Sequence, residues 1–234
     1  MARLGAFDNT LVPIAWFDET ARAEGWFDEN LLPSISSAKL FLRSTQTNGI
    51  GATYYDLDIV AGALSDTAVV DTVLNGTEIQ FTKTAGGSVV QFISGRAPVG
   101  GFTLTSTDIS VWLLQSSLLN NVGGRYRIFK RTAAGVETDI TGTPFDSGIE
   151  ATAVNAEYAW TGNVTDTVFA EDDRVLLKVY VTNIGVMAMG TATLNFNTAD
   201  GSVGDSFLNV FPSVVFKFNG AGGVIETGDL LLVF

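Results

Sequence analysis

The chain of 234 residues contains no cysteine and no histidine. The first absence excludes disulfide bonds. Together, the two absences exclude cysteine–histidine zinc sites, serine–histidine–aspartate triads and cysteine–histidine catalytic pairs. Any catalysis by side chains would have to use other groups, of which paired carboxylates are the most plausible. No cofactor, metal ligand or catalytic residue is therefore predicted.

Long apolar runs are also missing. No segment approaches the roughly 18 uninterrupted apolar residues of a membrane-spanning helix. The N-terminal residues Met-Ala-Arg-Leu-Gly are followed by acidic and polar side chains before any long apolar run, so no secretory signal is expected. From the sequence we expect a soluble protein with no membrane partner.

Charge is scarce and mostly negative. Only 16% of the residues are charged, and 13 basic residues stand against 25 acidic ones, for a formal net charge of −12. Such a surface repels nucleic acid, so no nucleic-acid partner is expected. The one basic cluster is Arg125, Arg127, Lys130 and Arg131. Its alternation with apolar residues predicts a strand with a polar face, and a patch for a phosphate or an acidic partner is the alternative.

The chain does have the pattern of a β protein. Period-two alternation and short apolar runs are separated by dipeptides such as Asn75-Gly76, Gly86-Gly87 and Gly123-Gly124, which we interpret as turns. The pattern predicts an all-β fold, an antiparallel jelly-roll β-sandwich over residues 36–219. The predicted strands are 38–43, 53–61, 67–73, 78–82, 88–93, 101–105, 109–115, 125–131, 136–140, 154–160, 165–170, 174–182, 190–197, 213–218 and 229–234.

Residues 1–35, which we call the arm, carry a repeat. Trp-Phe-Asp occurs at residues 16–18 and again at 26–28, and Ala-Phe-Asp at 6–8 keeps the same ten-residue register. A segment this short cannot bury its own rings, so they must be covered by the β domain as a lid or by another subunit as an anchor. Repetition favours the anchor. The predicted partner-binding residues are Phe7, Trp16, Phe17, Asp18, Trp26, Phe27, Asp28, Leu31 and Leu32.

Residues 220–234 form a third predicted segment, a glycine-rich hinge with a strand-like apolar end. This tail either completes the sheet of its own chain or adds a strand to the edge of a neighbour. Left exposed, it would promote aggregation.

Several residues are candidates for chemistry, and each has a simpler structural interpretation. Asp56 with Asp58, or Glu150 with Glu157, could form a carboxylate pair, but acidic residues are abundant and the first pair fits a solvated strand face. The loops 200–205 and 171–173 could supply oxygen ligands to calcium, but both fit turns. Trp112 and Trp160 lie in apolar strands, where core packing is commoner than stacking on sugars.

The layout resembles virion proteins of tailed bacteriophages, in which a short aromatic arm precedes a cysteine-free jelly-roll sandwich. The resemblance is carried by residues 15–18 (Ala-Trp-Phe-Asp), residues 25–31 (Gly-Trp-Phe-Asp-Glu-Asn-Leu) and the long strand at 173–181. It implies a structural role as a capsid decoration protein or a minor head or fibre subunit, often trimeric. The absence of coiled-coil heptads and of a collagen-like run disfavours a fibre shaft.

On this interpretation the chain is not an enzyme. Its partners would be other virion proteins (major capsid, portal, tail or fibre subunits) and further copies of itself, in a virion assembled in the host bacterial cytoplasm. Two alternatives remain. One is a glycan-binding β-sandwich that attaches to a cell-surface glycan, and the other is a glycosidase with two catalytic carboxylates.

Overall fold

The computed structural model describes residues 37–46, 50, 53–58, 66–70, 78–98, 100–116, 122–142, 145–151, 154–162, 164–183, 191–196 and 205–212. Over these residues the chain is all-β, as predicted, and contains no helix, so none that could span a membrane. The strands are β1 (Ala38–Gln46), β2 (Tyr54–Asp58), β3 (Asp66–Val70), β4 (Glu78–Gln80), β5 (Gln91–Ser94), β6 (Phe102–Gln115), β7 (Val122–Arg131), β8 (Glu137–Asp139), β9 (Phe145–Glu150), β10 (Ala156–Gly162), β11 (Thr167–Phe169), β12 (Arg174–Asn183), β13 (Ala192–Phe196) and β14 (Phe207–Pro212).

The fourteen described strands form one hydrogen-bonded sheet. Its main path runs in the order β3, β13, β6, β14, β1, β2, β5, β12, β7, β8, while β10 and β11 attach to β6, β4 to β12 and β9 to β7. Of the pairings between these strands, only β2 with β5 is parallel. The sheet is therefore mixed at this pair rather than antiparallel throughout, and the jelly-roll arrangement stays a prediction.

Strand β6 is paired along both of its edges. Leu113 lies opposite Ala156 of β10 and also opposite Leu194 of β13. The sequence predicted two strands here, 101–105 and 109–115, with a break between them. The strand is continuous instead, because β14 and β10 both pair with Thr107 in the expected gap.

The buried apolar side chains of the described strands form one core. In β12, alternate residues Val175, Leu177, Val179 and Val181 are no more than 1% exposed. They join a cluster of buried side chains that runs from residue 40 to residue 210. Burying a side chain of this size stabilises the fold by about 1.5–3 kcal/mol. The period-two pattern from which strands were predicted is thus the pattern of side chains that enter this core.

Two strands were not predicted. β9 has the sequence Phe-Asp-Ser-Gly-Ile-Glu, in which polar residues and a glycine hide the alternation. β14 ends at Pro212, which cannot donate to a ladder and reads as a strand boundary. Every predicted strand that ends before residue 200 overlaps an observed one. The predicted strands at 213–218 and 229–234 lie outside the described residues.

Gly123-Gly124 was predicted to be a turn, and that prediction is wrong. Both glycines lie inside β7. A Cβ atom on Gly124 would lie 2.8 Å from Cδ1 of Leu113 and 3.0 Å from Cη2 of Trp160. The glycine is needed because β7 packs closely on side chains of β6 and β10. Gly86, by contrast, has a φ of 66° and sits in a turn, as the sequence predicted.

We predict that Gly124→Ala destabilises the protein by about 1–3 kcal/mol, the usual cost of overpacking a filled core. Urea denaturation measures the change. In a Leu113→Val background, which removes the Cδ1 atom, the same substitution should cost less. An unchanged free energy of unfolding in Gly124→Ala would contradict the described packing.

Candidate functional site

The predicted partner-binding residues, from Phe7 to Leu32, lie outside the described residues, so their role stays a prediction. The same holds for the predicted segment boundaries at 35/36 and 219/220 and for the tail at 220–234. The described β domain has two surface features that bear on function. One is a network of ion pairs, and the other is a lysine that lies over two aromatic rings.

The ion pairs lie on the outward face of β4, β12, β7 and β8, which we call the charged face. Arg127 donates through Nη2 to Glu78 at 2.8 Å and through Nη1 to Asp139 at 3.0 Å. Lys178 donates to Glu137 at 2.7 Å. The face forms because the alternate residues of β12 and β7 enter the core and leave these side chains outside.

The charged face explains three of the four residues of the basic cluster seen in the sequence, because Lys130 alternates onto the other face of β7 with Tyr126 and Ile128. Arg127 is paired as above, Arg125 Nη1 lies 4.0 Å from Glu78, Lys130 Nζ lies 2.9 Å from Asp173, and Arg131 Nε lies 3.8 Å from Glu137. Each basic residue already has a carboxylate of its own chain. The interpretation as a strand with a polar face is confirmed, and the geometry does not support a phosphate site.

Glu137 is the acceptor at the centre of the face. It also accepts a hydrogen bond from the Tyr54 hydroxyl at 2.8 Å. Burial raises the pKa of Glu137, but the hydrogen bonds from Lys178 and Tyr54 and the positive charges of Lys178 and Arg131 outweigh burial, so the pKa lies below its ordinary 4.5. A carboxylate held ionised in this way is a poor proton donor at neutral pH.

The pKa values of Asp139 and of two tyrosines are also shifted away from neutrality. Burial raises the pKa of Asp139, but hydrogen bonds from Thr141 and Arg127 bring it below its ordinary 3.8. Burial is also the main cause that raises the pKa of Tyr180 to about 12, and it raises the pKa of Tyr54. All these shifts lead away from neutrality, which suits a face that holds strands together better than one that exchanges protons.

The carboxylates of the candidate pairs also form ion pairs or hydrogen bonds with neighbouring side chains. Asp58 pairs with Arg43 at 2.7 Å, and Asp56 accepts a hydrogen bond from Thr45 at 2.6 Å. Glu157 accepts one from Ser110, and the side chain of Glu150 lies outside the described residues. The solvated-face interpretation of Asp56 and Asp58 holds, and none of these contacts points to a cleft with two acids.

The segment 171–173 is a turn, as its simpler interpretation predicted. Asp172 has a φ of 67° and pairs with Arg96 at 3.2 Å. Asp173 is 4% exposed and accepts a hydrogen bond from the backbone of Ala170 at 2.8 Å. Within the described ranges, no group of three or more acidic residues is placed to hold a metal ion. The other candidate loop lies outside those ranges except for Asp205.

The second feature, which we call the Lys39 patch, consists of Lys39, Phe41 and Phe207. Phe41 of β1 lies directly opposite Phe207 of β14, and the ring centroids are 6.4 Å apart in an edge-on arrangement. Lys39 Nζ lies 3.7 Å from the ring centroid of Phe207 and 5.1 Å from that of Phe41, a cation–π geometry. Because Leu40 and Leu42 enter the core, these three side chains point outward.

Sequence reasoning missed the patch because β14 was not predicted. The alternation of Phe207, Asn209 and Phe211 with buried Leu208 and Val210 was the available signal.

The two tryptophans of the β domain differ in environment. Trp160 packs at the edge of the core, with its ring 5.8 Å from that of Tyr126. Trp112 is half-buried and lies on the opposite face of β6 from Val111 and Leu113, which are in the core. Core packing is therefore confirmed for Trp160 and is wrong for Trp112.

Comparisons with known proteins found no matching family model and no matching curated protein. Among solved structures, a CocE/NonD family hydrolase from Staphylococcus aureus is 12% identical, with a TM-score of 0.48, over 78% of this chain and 37% of that one. An alpha-amino acid ester hydrolase is 12% identical, with a TM-score of 0.48, over 75% and 36%. A structure of infectious bursal disease virus, Gt strain, is 9% identical, with a TM-score of 0.34, over 79% and 38%.

The sequence-based prediction that the chain is not an enzyme is corrected by this finding, because hydrolases are among the structures that resemble it. The expected resemblance to virion proteins is found only in part. The matches include a structure of infectious bursal disease virus and a VP2 subviral particle of that virus. The chain spans less than half the length of each of these proteins. At this level of similarity neither an activity nor a partner transfers to it.

We predict that acid destabilises the protein in part through Glu137. Because the pKa of Glu137 is lower in the folded than in the unfolded state, its stabilisation is complete above its ordinary pKa of 4.5 and is lost as the pH falls through the folded value. The loss of unfolding free energy between neutral pH and about pH 3 should therefore be smaller in Glu137→Gln than in the natural chain.

Urea denaturation at a series of pH values measures this slope. Glu171→Gln, which removes one charge from an exposed turn residue, is the matched control. If Glu137→Gln and the natural chain lose the same free energy on acidification, the network around Glu137 is not the source of acid sensitivity.

Proposed function

We propose that the chain is a structural subunit of a virus particle, of the tailed-bacteriophage type, and that its arm holds it to neighbouring subunits. The observation that carries the proposal is the repeat of Trp-Phe-Asp at residues 16–18 and 26–28, in register, beside a β domain with a core of its own. A repeated motif suits repeated, equivalent pockets, such as those offered by the copies in a symmetric assembly.

The described part of the β domain has an aromatic core of its own. Among the described residues, its largest buried rings come from the strands and their connections: Phe92 lies 5.0 Å from Phe196, and Phe102 stacks on Phe169 at 4.8 Å. Large aromatic side chains are also the residues that most often dominate the energy of protein interfaces. The arm's rings are accordingly proposed as anchors.

The charge distribution supports a protein partner. Eight of the ten basic residues in the described ranges form ion pairs with carboxylates of the same chain. With a net charge of −12, little cationic surface is left for a nucleic acid. The proposed partners are further copies of this chain and other virion proteins, in a particle assembled in the bacterial host.

A glycan-binding module is the second candidate, and one observation favours it. Trp112 is half-buried on the outward face of β6, where its ring could stack on a sugar. Titration with oligosaccharides, monitored by tryptophan fluorescence, distinguishes the two: a response lost in Trp112→Ala would favour glycan binding.

We predict that replacing both Trp16 and Trp26 with alanine releases the chain from particles without lowering its melting temperature. Each truncated anchor should cost about 2 kcal/mol or more of binding energy. Particles made with the variant are purified by sedimentation and probed with an antibody to the β domain. Replacement of both tryptophans with phenylalanine is the control and should retain most of the binding. Normal incorporation of the alanine variant would overturn the proposal.

A further inference from the structure

We infer that the Lys39 patch is the acceptor for a Trp-Phe-Asp motif of a second copy of this chain. The inference rests on the proposed function and deepens it, because it names the surface on which the arm docks.

Lys39 differs from the other basic residues of the described ranges. Eight of those form ion pairs with carboxylates, and Arg174 donates to the carbonyl oxygen of Ser94 at 2.9 Å. Lys39 is exposed, and its ammonium group lies over the rings of Phe207 and Phe41. The chain has 25 acidic residues, yet within the described part of the structure the Lys39 ammonium contacts rings and no carboxylate.

The motif has the chemistry that such a patch would recognise. Trp16 and Phe17, like Trp26 and Phe27, supply two rings that can pack against Phe41 and Phe207. The aspartate that follows each pair supplies a carboxylate for the Lys39 ammonium. A glutamate comes next in both copies, at positions 19 and 29, which adds negative charge beside the cation. The rings and the carboxylate of the motif are therefore complementary to the rings and the ammonium group of the patch.

The proposed function favours a second copy over the arm's own domain, because in it the arm holds the chain to neighbouring subunits. Each arm carries two identical Trp-Phe-Asp motifs, and the described part of each β domain offers one Lys39 patch. Motifs therefore outnumber patches two to one, whether docking is within a chain or between chains. Asp28 and Lys39 are eleven positions apart, and a chain of that length spans up to about 36–40 Å. Docking within one chain is thus within reach, and the experiment must distinguish the two arrangements.

A charge exchange between two full-length chains makes that distinction. The first chain carries Lys39→Glu with its natural arm, and the second carries Asp18→Lys and Asp28→Lys with its natural patch. In each variant alone, the motif and the patch carry charge of the same sign and repel each other. Self-association measured by analytical ultracentrifugation should therefore weaken at least about tenfold. When the two variants are mixed in equal amounts, the motif of each meets a patch of opposite charge on the other, and association should return. A single chain with all three substitutions should also associate by itself.

Several results would overturn the inference. If both single-type chains associate normally, the patch is not the acceptor. If mixing restores nothing while the triple variant associates, the motif docks within its own chain. Arg96→Glu is the matched control, since it makes the same charge change at an exposed residue and should leave association intact. Near-ultraviolet circular dichroism of every variant shows whether the fold is retained.

Failure of this inference is distinguishable from failure of the proposed function. If the alanine variant of Trp16 and Trp26 dissociates while Lys39→Glu and Phe207→Ala both associate normally, the arm is an anchor but its acceptor lies elsewhere. If the alanine variant also associates normally, both the inference and the proposed function are wrong.

Discussion

Alternation of side chains across a continuously hydrogen-bonded sheet is the constraint on which the other features depend. Strand β6 is bonded along both edges, and from it the pairing continues through β14, β1, β2, β5 and β12 to β7. Because the pairing register is set and successive side chains point to opposite faces, a residue that enters the core places its neighbours in sequence on the outer face. Burial of Leu40 and Leu42 turns Phe41 outward, and burial of Leu177 and Val179 does the same for Lys178. The Lys39 patch and the charged face are both products of this alternation.

The two outward surfaces differ in what they leave unfilled. On the charged face, carboxylates from β4 and β8 meet the basic residues of β7 and β12, so that opposite charges are already matched within the chain. Ion pairs of this kind, partly exposed to solvent, contribute modest stability. At the Lys39 patch the positive charge meets only rings in the described part of the chain. Unmatched charge beside apolar surface is a feature of binding sites, and it agrees with the role proposed for the arm.

The sequence contained much of the fold. Alternation located nearly every strand before residue 200, because the side chains that alternate are the ones that the core buries. Where it failed, the cause is tertiary. Gly123-Gly124 has the composition of a turn, but close packing against Trp160 and Leu113 places it in a strand. The parallel pairing of β2 with β5 depends on strand order, which local composition does not encode.

The same limit applies to the sites. The basic strand was predicted, but its carboxylate partners come from Glu78, Glu137 and Asp139 on other strands, which only the folded sheet brings together. Lys39 and Phe207 lie near opposite ends of the described chain and meet through the β1–β14 pair. The Trp-Phe-Asp repeat was visible in the sequence because it is local. The acceptor proposed for it, the Lys39 patch, was not visible, because the patch is assembled from distant segments.

The central claim is that another chain covers the arm's rings, and tryptophan fluorescence tests it directly. The chain has four tryptophans, so in a Trp112→Phe/Trp160→Phe background only Trp16 and Trp26 emit. Emission and quenching by acrylamide are then followed as the protein is diluted. The account predicts blue-shifted, protected emission at high concentration that becomes red-shifted and quenchable on dilution, as the subunits separate. Blue-shifted, protected emission that is independent of concentration would show that the rings are buried within their own chain and would contradict the account.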